Sequence, residues 1–184
     1  EAGIVTYSQR HHVDIVKVLI ENGADVNAGS YNSLSRACFR NQFEIAKLLI
    51  QNGADVNAPA IHTFGRTPPL PLLSAANWGC LEVVKLLILK GADINAVGKS
   101  KRTPLHLAVD LPSQRSSTPC HIPATYKKRN VDIVRVLLQN GADVNATDVY
   151  GDTALHTAYV MKKDVCTLEL LCFGAEIDTV NCID

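Results

Sequence analysis

The chain has 184 residues, 47% hydrophobic and 20% charged, which is enough apolar material of ordinary composition for one folded domain. Eighteen Lys and Arg balance eighteen Asp and Glu, so no net field draws the chain to nucleic acid or to an anionic bilayer. No apolar run reaches the roughly 20 residues that a bilayer-spanning helix needs, because Lys85 breaks even the stretch from Val83 to Leu89.

The chain opens at Glu1 without an initiator Met or a signal-peptide pattern, and reads as a fragment of a longer protein. Its first strong element is an apolar helix, V-D-I-V-K-V-L-I from Val13 to Ile20, followed by N-G-A-D-V-N-A from Asn22 to Ala28. The same two segments return as Phe43 to Ile50 with Asn52 to Ala58, and as Leu81 to Ile88 with K-G-A-D-I-N-A from Lys90 to Ala96. They return again as Val131 to Leu138 with Asn140 to Ala146, and a decayed phrase, F-G-A-E-I-D-T, runs from Phe173 to Thr179. The phrase glycines, Gly23, Gly53, Gly91, Gly141 and Gly174, are spaced by 30, 38, 50 and 33 residues. That spacing predicts a repeating unit of about 33 residues.

Ile15, Val16, Leu19 and Ile20 form a stripe wider than a surface helix needs, so each such helix is expected to be covered by neighbouring units. The glycine after each helix suits a left-handed C-terminal cap. Asp25, Asp55, Asp93 and Asp143 recur as turn residues whose carboxylates satisfy local backbone donors. Upstream, Thr103-Pro104 and Thr153-Ala154 each start a second, shorter helix, capped by the Thr hydroxyl.

The segments T-P-L-H-L-A (Thr103 to Ala108) and T-A-L-H-T-A (Thr153 to Ala158), with the G-A-D-V-N-A phrases, resemble the ankyrin repeat family. The resemblance implies an all-α, ankyrin-type solenoid of helix-turn-helix-hairpin repeats. About five repeats are expected, at 1–28, 29–58, 59–96, 97–146 and 147–179, the first and last irregular. It also implies no catalytic residues, and protein partners bound along the concave side and the hairpin tips.

Against the family pattern, the Gly23 to Gly53 unit is three residues short at Gly29-Ser30-Tyr31, where a stunted finger is expected. The next unit has five extra residues within Pro59 to Pro71, a hairpin stiffened by four prolines, and its helix starts at Thr67-Pro68 or at Pro71-Leu72. The Gly91 to Gly141 unit holds seventeen extra residues, Pro112 to Lys128, read as a loop between a first helix ending near Leu111 and a second starting at Asn130. In the last unit Cys166, Thr167 and Glu169 stand where Ile133, Val134 and Val136 stand before, as suits a capping repeat with its outer side in water. Val180, Cys182 and Ile183 in the tail are consistent with a further partial repeat.

Six cysteines without a C-x-x-C pair read as free thiols in a reducing compartment, cytoplasmic or nuclear, with no metal and no cofactor expected. His106 and His156 read as structural, hydrogen-bonded to nearby backbone at each T-x-L-H start, and no nucleophile, base and orienting group can be assembled. An enzyme is therefore not expected. The family pattern points the residues after each first helix's alanine segment into the groove: Gln9-Arg10, Phe39-Arg40, Asn77-Trp78, Asp110-Leu111 and Val160-Met161. Phe39, Trp78, Leu111, Val160 and Met161 would form an apolar strip of the kind that marks contact sites. The alternative is that the Pro59 to Pro71 hairpin folds over Trp78. Lys99, Lys101 and Arg102 at the fourth hairpin, with Tyr150, complete the candidate partner-binding set, and Lys127, Lys128 and Arg129 form a second basic cluster.

The function expected is a protein-interaction scaffold or adaptor, monomeric in isolation, that binds another protein through groove and fingers and binds neither nucleic acid nor membrane. The other readings are the substrate-recognition part of a ubiquitin ligase adaptor, with a SOCS or F-box segment elsewhere, and a regulatory domain fused to an enzyme.

Overall fold

Helix periodicity in the sequence becomes nine α-helices and no strand among the described residues, which in the computed structural model are 7–28, 32–59, 70–110 and 126–177. They are α1 (Tyr7–Glu21), α2 (Ser33–Phe39), α3 (Phe43–Gln51), α4 (Pro71–Asn77), α5 (Leu81–Leu89), α6 (Pro104–Val109), α7 (Tyr126–Gln139), α8 (Ala154–Val160) and α9 (Asp164–Cys172). The short helices α2, α4, α6 and α8 pack side by side in one row, and α1, α3, α5, α7 and α9 pack in a second. A continuous core lies between the rows.

That core is built from the same places in successive repeats. Leu34, Leu72 and Leu105 fill it from the first row, and Leu49, Leu87, Leu137 and Leu170 from the second, all buried. Each fully buried Leu is worth roughly 1.5–3 kcal/mol over an exposed one. Ala37, Ala75, Ala108 and Ala158 are also buried at one shared position, and their small side chains let neighbouring first-row helices approach closely.

Every second-row helix ends in the same cap. The glycine N–H reaches back to the carbonyl three residues earlier (Gly91 to Ile88, 3.0 Å), and the following alanine N–H reaches five back (Ala92 to Leu87, 3.0 Å), with φ of +82° at Gly91. This double bond satisfies carbonyls that the helix end would otherwise leave without partners. The turns inside the repeats close likewise, through Asn41, Gly79 and Lys162, all in the left-handed region. Asp25, Asp55, Asp93 and Asp143 each accept the N–H of the residue two further on, at 2.8–3.0 Å, as expected of turn aspartates.

The phrase asparagines stitch the repeats together. Asn57 donates to the Gly91 carbonyl (3.1 Å) and accepts the Asp93 N–H (2.9 Å). Asn27 does the same to Gly53 and Asp55, and Asn95 to Gly141 and Asp143. Asn145 accepts the N–H of Glu176 at 2.9 Å. One amide per repeat thus pairs with the backbone of the next.

Three details differ from the sequence reading or decide it. Among the described residues the first repeat has no turn between two helices, because α1 runs unbroken from Tyr7 to Glu21, and Gln9-Arg10 lie inside it rather than at a groove-facing helix end. Helix α4 starts at Pro71, the second of the two registers, where a proline at the first helical position loses no hydrogen bond. Helix α7 starts at Tyr126, four residues before Asn130, so Tyr126, Lys127 and Lys128 are helical and not loop. The last helix breaker of the insertion is Pro123, and nothing in Tyr126-Lys127-Lys128-Arg129 opposes helix. Gly29-Ser30-Tyr31, residues 60–69 and residues 112–125 lie outside the described residues.

The last repeat is held differently from the others. Glu169, at the position of Val136, forms an ion pair with Arg135 across α7 and α9, so part of this contact is polar. Its outer side is less polar than a capping repeat implies. Val165 and Leu168 are 55% and 62% exposed at the positions where α5 carries Glu82 and Lys85 and α7 carries Asp132 and Arg135.

Candidate interaction surface

Side-by-side packing of α2, α4, α6 and α8 brings their C-terminal ends to one edge of the solenoid. Phe39 is the last residue of α2, and Arg40 caps it. Asn77 and Trp78 hold the same two places on α4, as Val160 and Met161 do on α8. Asp110 caps α6, and Leu111 lies outside the described residues.

Phe39 and Trp78 meet. Their ring centroids are 4.6 Å apart at an interplanar angle of 70°, the edge-to-face geometry that the ring quadrupoles favour. Both rings are half-buried, and Trp78 packs against the core. Arg40 and Arg36 flank Phe39, with guanidinium carbons 5.7 and 5.8 Å from its ring centroid. Sequence reasoning passed over Arg36. It lies on the exposed stripe Ser33, Arg36, Arg40 of α2, a spacing of three and four residues that the sequence does carry.

Val160 and Met161 stand at the last repeat, 73% and 47% exposed. The structure describes no contact between them and the Phe39–Trp78 pair. Tyr150 is 58% exposed on the fifth hairpin.

The fourth hairpin sorts its three basic residues. Arg102 turns back to Asp110, forming an ion pair at 2.7 Å, so these two residues of the candidate partner-binding set neutralise each other. Lys99 and Lys101 are exposed. The turn between them is unusual, because Ser100 (φ 61°) and Lys101 (φ 55°) both adopt the left-handed backbone. The N–H of Val149 donates to the Ser100 carbonyl (3.0 Å), tying this hairpin to the next. Lys127, Lys128 and Arg129 stand in the first turn of α7.

His106 is a structural residue. Its Nδ1 accepts from the Thr103 N–H (3.3 Å) and lies 2.9 Å from the Thr103 hydroxyl, while Nε2 lies 3.0 Å from the Asp152 carbonyl. A backbone N–H can only donate and a carbonyl can only accept, so the ring is neutral with its proton on Nε2. Burial holds its pKa below the ordinary 6.5, and the nearby Arg102 charge adds to the effect. His156 repeats the local part of the arrangement with Thr153.

Thiol chemistry is also disfavoured where it is buried. Burial first, then the neighbouring Cys80, push the Cys38 thiol far above its ordinary range, and burial raises that of Cys166. Among the described residues no three His, Cys, Asp or Glu side chains gather as metal ligands, and no helix is long and apolar enough to cross a membrane.

Comparison with known families agrees with this geometry. A model of ankyrin repeats in three copies matches residues 4–60, one of ankyrin repeats in many copies matches residues 72–111 and 120–159, and a single ankyrin repeat matches residues 150–182. No curated protein matches the chain.

Proposed function

The chain belongs to the ankyrin repeat family, and from that premise we propose that it holds one partner protein across its groove and hairpin fingers, as a scaffold without catalytic activity of its own. Ankyrin repeats are in general protein-interaction modules. The observation that carries the finer reading is the edge formed by the ends of α2, α4, α6 and α8, where aromatic and basic side chains stay accessible while the Leu and Ala faces of the same helices are consumed by stacking.

In this reading Phe39, Asn77, Trp78, Leu111, Val160 and Met161 supply contact area, and Arg40, Asp110, Lys99, Lys101, Arg102 and Tyr150 set orientation. The mechanism is shape with aromatic anchors. Half-buried rings lose little freedom on binding, which is why such residues dominate interface energetics. Replacing Trp78 with Ala in a chain that still folds is expected to weaken partner binding by about 2 kcal/mol, roughly thirtyfold in Kd. Isothermal titration with the partner checks it, and an unchanged Kd removes the groove reading.

A further inference from the structure

The chemistry of the partner is legible in which cations of this chain are already neutralised. Along the second row of helices Lys17 pairs with Glu21, Lys85 with Glu82, and Arg135 with Asp132 and Glu169, while Lys47 on α3 is exposed and has no ion pair among the described residues. On the hairpin side Arg102 is paired with Asp110. Arg36 and Arg40 differ in standing unpaired beside an aromatic ring. Both are exposed, both lean over the Phe39 ring, and no carboxylate of the described residues stands at ion-pair distance from either.

Lys99 and Lys101 share that condition on the fourth hairpin. Their turn holds Ser100 and Lys101 in a backbone region that residues with a Cβ disfavour, and the bond from Val149 helps to hold it. Four cations without an ion pair among the described residues, two of them over the Phe39 ring, therefore belong to the face proposed above as the binding surface.

We infer that the partner presents an acidic polypeptide segment to this face, with an apolar side chain set among its carboxylates. The inference rests on the groove reading. Guanidinium groups bind a carboxylate through paired N–H donors, and the Phe39 ring beside them, in edge-to-face contact with Trp78, offers apolar contact. Lys99 and Lys101 take further carboxylates as point charges. Nucleic acid fits less well. A phosphate backbone is held by a row of cations that each neutralise a phosphate, and the exposed carboxylates of Asp25, Asp55, Asp93 and Asp143 recur along the hairpins among them.

The test is selection of short random peptides displayed on phage against the immobilised chain, followed by binding measurements with synthetic copies. The expected winners are rich in Asp and Glu around an aliphatic or aromatic residue. Their Kd should rise about tenfold between about 50 and about 300 mM NaCl, and about tenfold in the Arg36→Gln, Arg40→Gln double variant. A Lys17→Gln, Lys85→Gln control should stay within about twofold of the parent. Circular dichroism establishes that each variant is folded.

Neutral or basic winners overturn the inference, as do an unchanged Kd in the arginine variant, recovery of no peptide, or tighter binding of a short single-stranded RNA than of the best peptide. Neutral winners lost on Trp78→Ala would remove the acidic partner and leave the groove reading standing. Acidic winners that ignore Trp78→Ala but need both arginines would do the reverse.

Discussion

Replacing His106 with Ala should destabilise this chain more than any other single change at a helix start. The ring is 1% exposed and spans two repeats, with Nε2–H on the Asp152 carbonyl (3.0 Å) and Nδ1 serving Thr103, itself 4% exposed. Loss of the inter-repeat bond costs about 1 kcal/mol, and leaving the buried Thr103 donors unsatisfied costs about 1–3 more. The vacated ring space adds about 1 kcal/mol, for a total of about 3–5. In a chain of this length that corresponds to a fall in Tm of roughly 10 °C.

His156 provides the internal comparison. It sits at the same place in the next repeat, is only half-buried, and keeps the Thr153 contacts without a hydrogen bond to another repeat among the described residues. His156→Ala should cost about 1–2 kcal/mol. Thermal melts followed by far-ultraviolet circular dichroism, with matching urea titrations at neutral pH, measure both. Equal losses in the two variants, or less than about 1 kcal/mol for His106→Ala, would refute the account of His106 as an inter-repeat bolt.

The pH dependence has a definite sign. Because burial lowers the folded-state pKa of His106 below its ordinary 6.5, the unfolded chain binds the extra proton first, so this contribution is whole above 6.5 and is lost as pH falls from there through the lower folded value. Melts between neutral pH and pH about 5 should show that slope in the parent and a shallower one in His106→Ala. Asn57→Ala removes two hydrogen bonds to the next repeat and should cost about 1–2 kcal/mol, whereas Asn145→Ala, with one bond, should cost about half as much. Equal urea midpoints for these two variants would count against the amide stitch. Restoring the acid–base pair in the last repeat by Val165→Glu with Leu168→Arg should leave Tm within about 2 °C, because both side chains are mostly exposed, while raising solubility. A large fall in Tm would mean that α9 is covered on that side.

The repeat, its period and its helices were legible because they follow from local chemistry. Apolar residues at Ile45, Val83 and Ile133 are buried between repeats, whereas Ile15 at the same place in the first repeat, with Leu19, is more than half exposed because no earlier repeat among the described residues covers it. Gly53, Gly91 and Gly141 end their helices through backbone freedom alone. The structural role of His106 was legible for the same reason, since its Thr103 contact is three residues away. Its bond to Asp152, forty-six residues on, was not. Nor was the role of the phrase asparagines, each of which recurs in plain sight but bonds 26 to 48 residues away.

The candidate surface divides the same way. Position within the repeat selected Phe39, Arg40 and Trp78, yet Arg36 came to notice only through its distance to the Phe39 ring, and the pairing of Arg102 with Asp110 only through the fold. Burial pattern and backbone freedom are properties of a segment and its nearest neighbours along the chain, so the amino-acid order alone determined a stacked helical array. Which side chains find one another depends on the offset between stacked repeats. That offset is a sum over many packed contacts, and only the tertiary structure decided it.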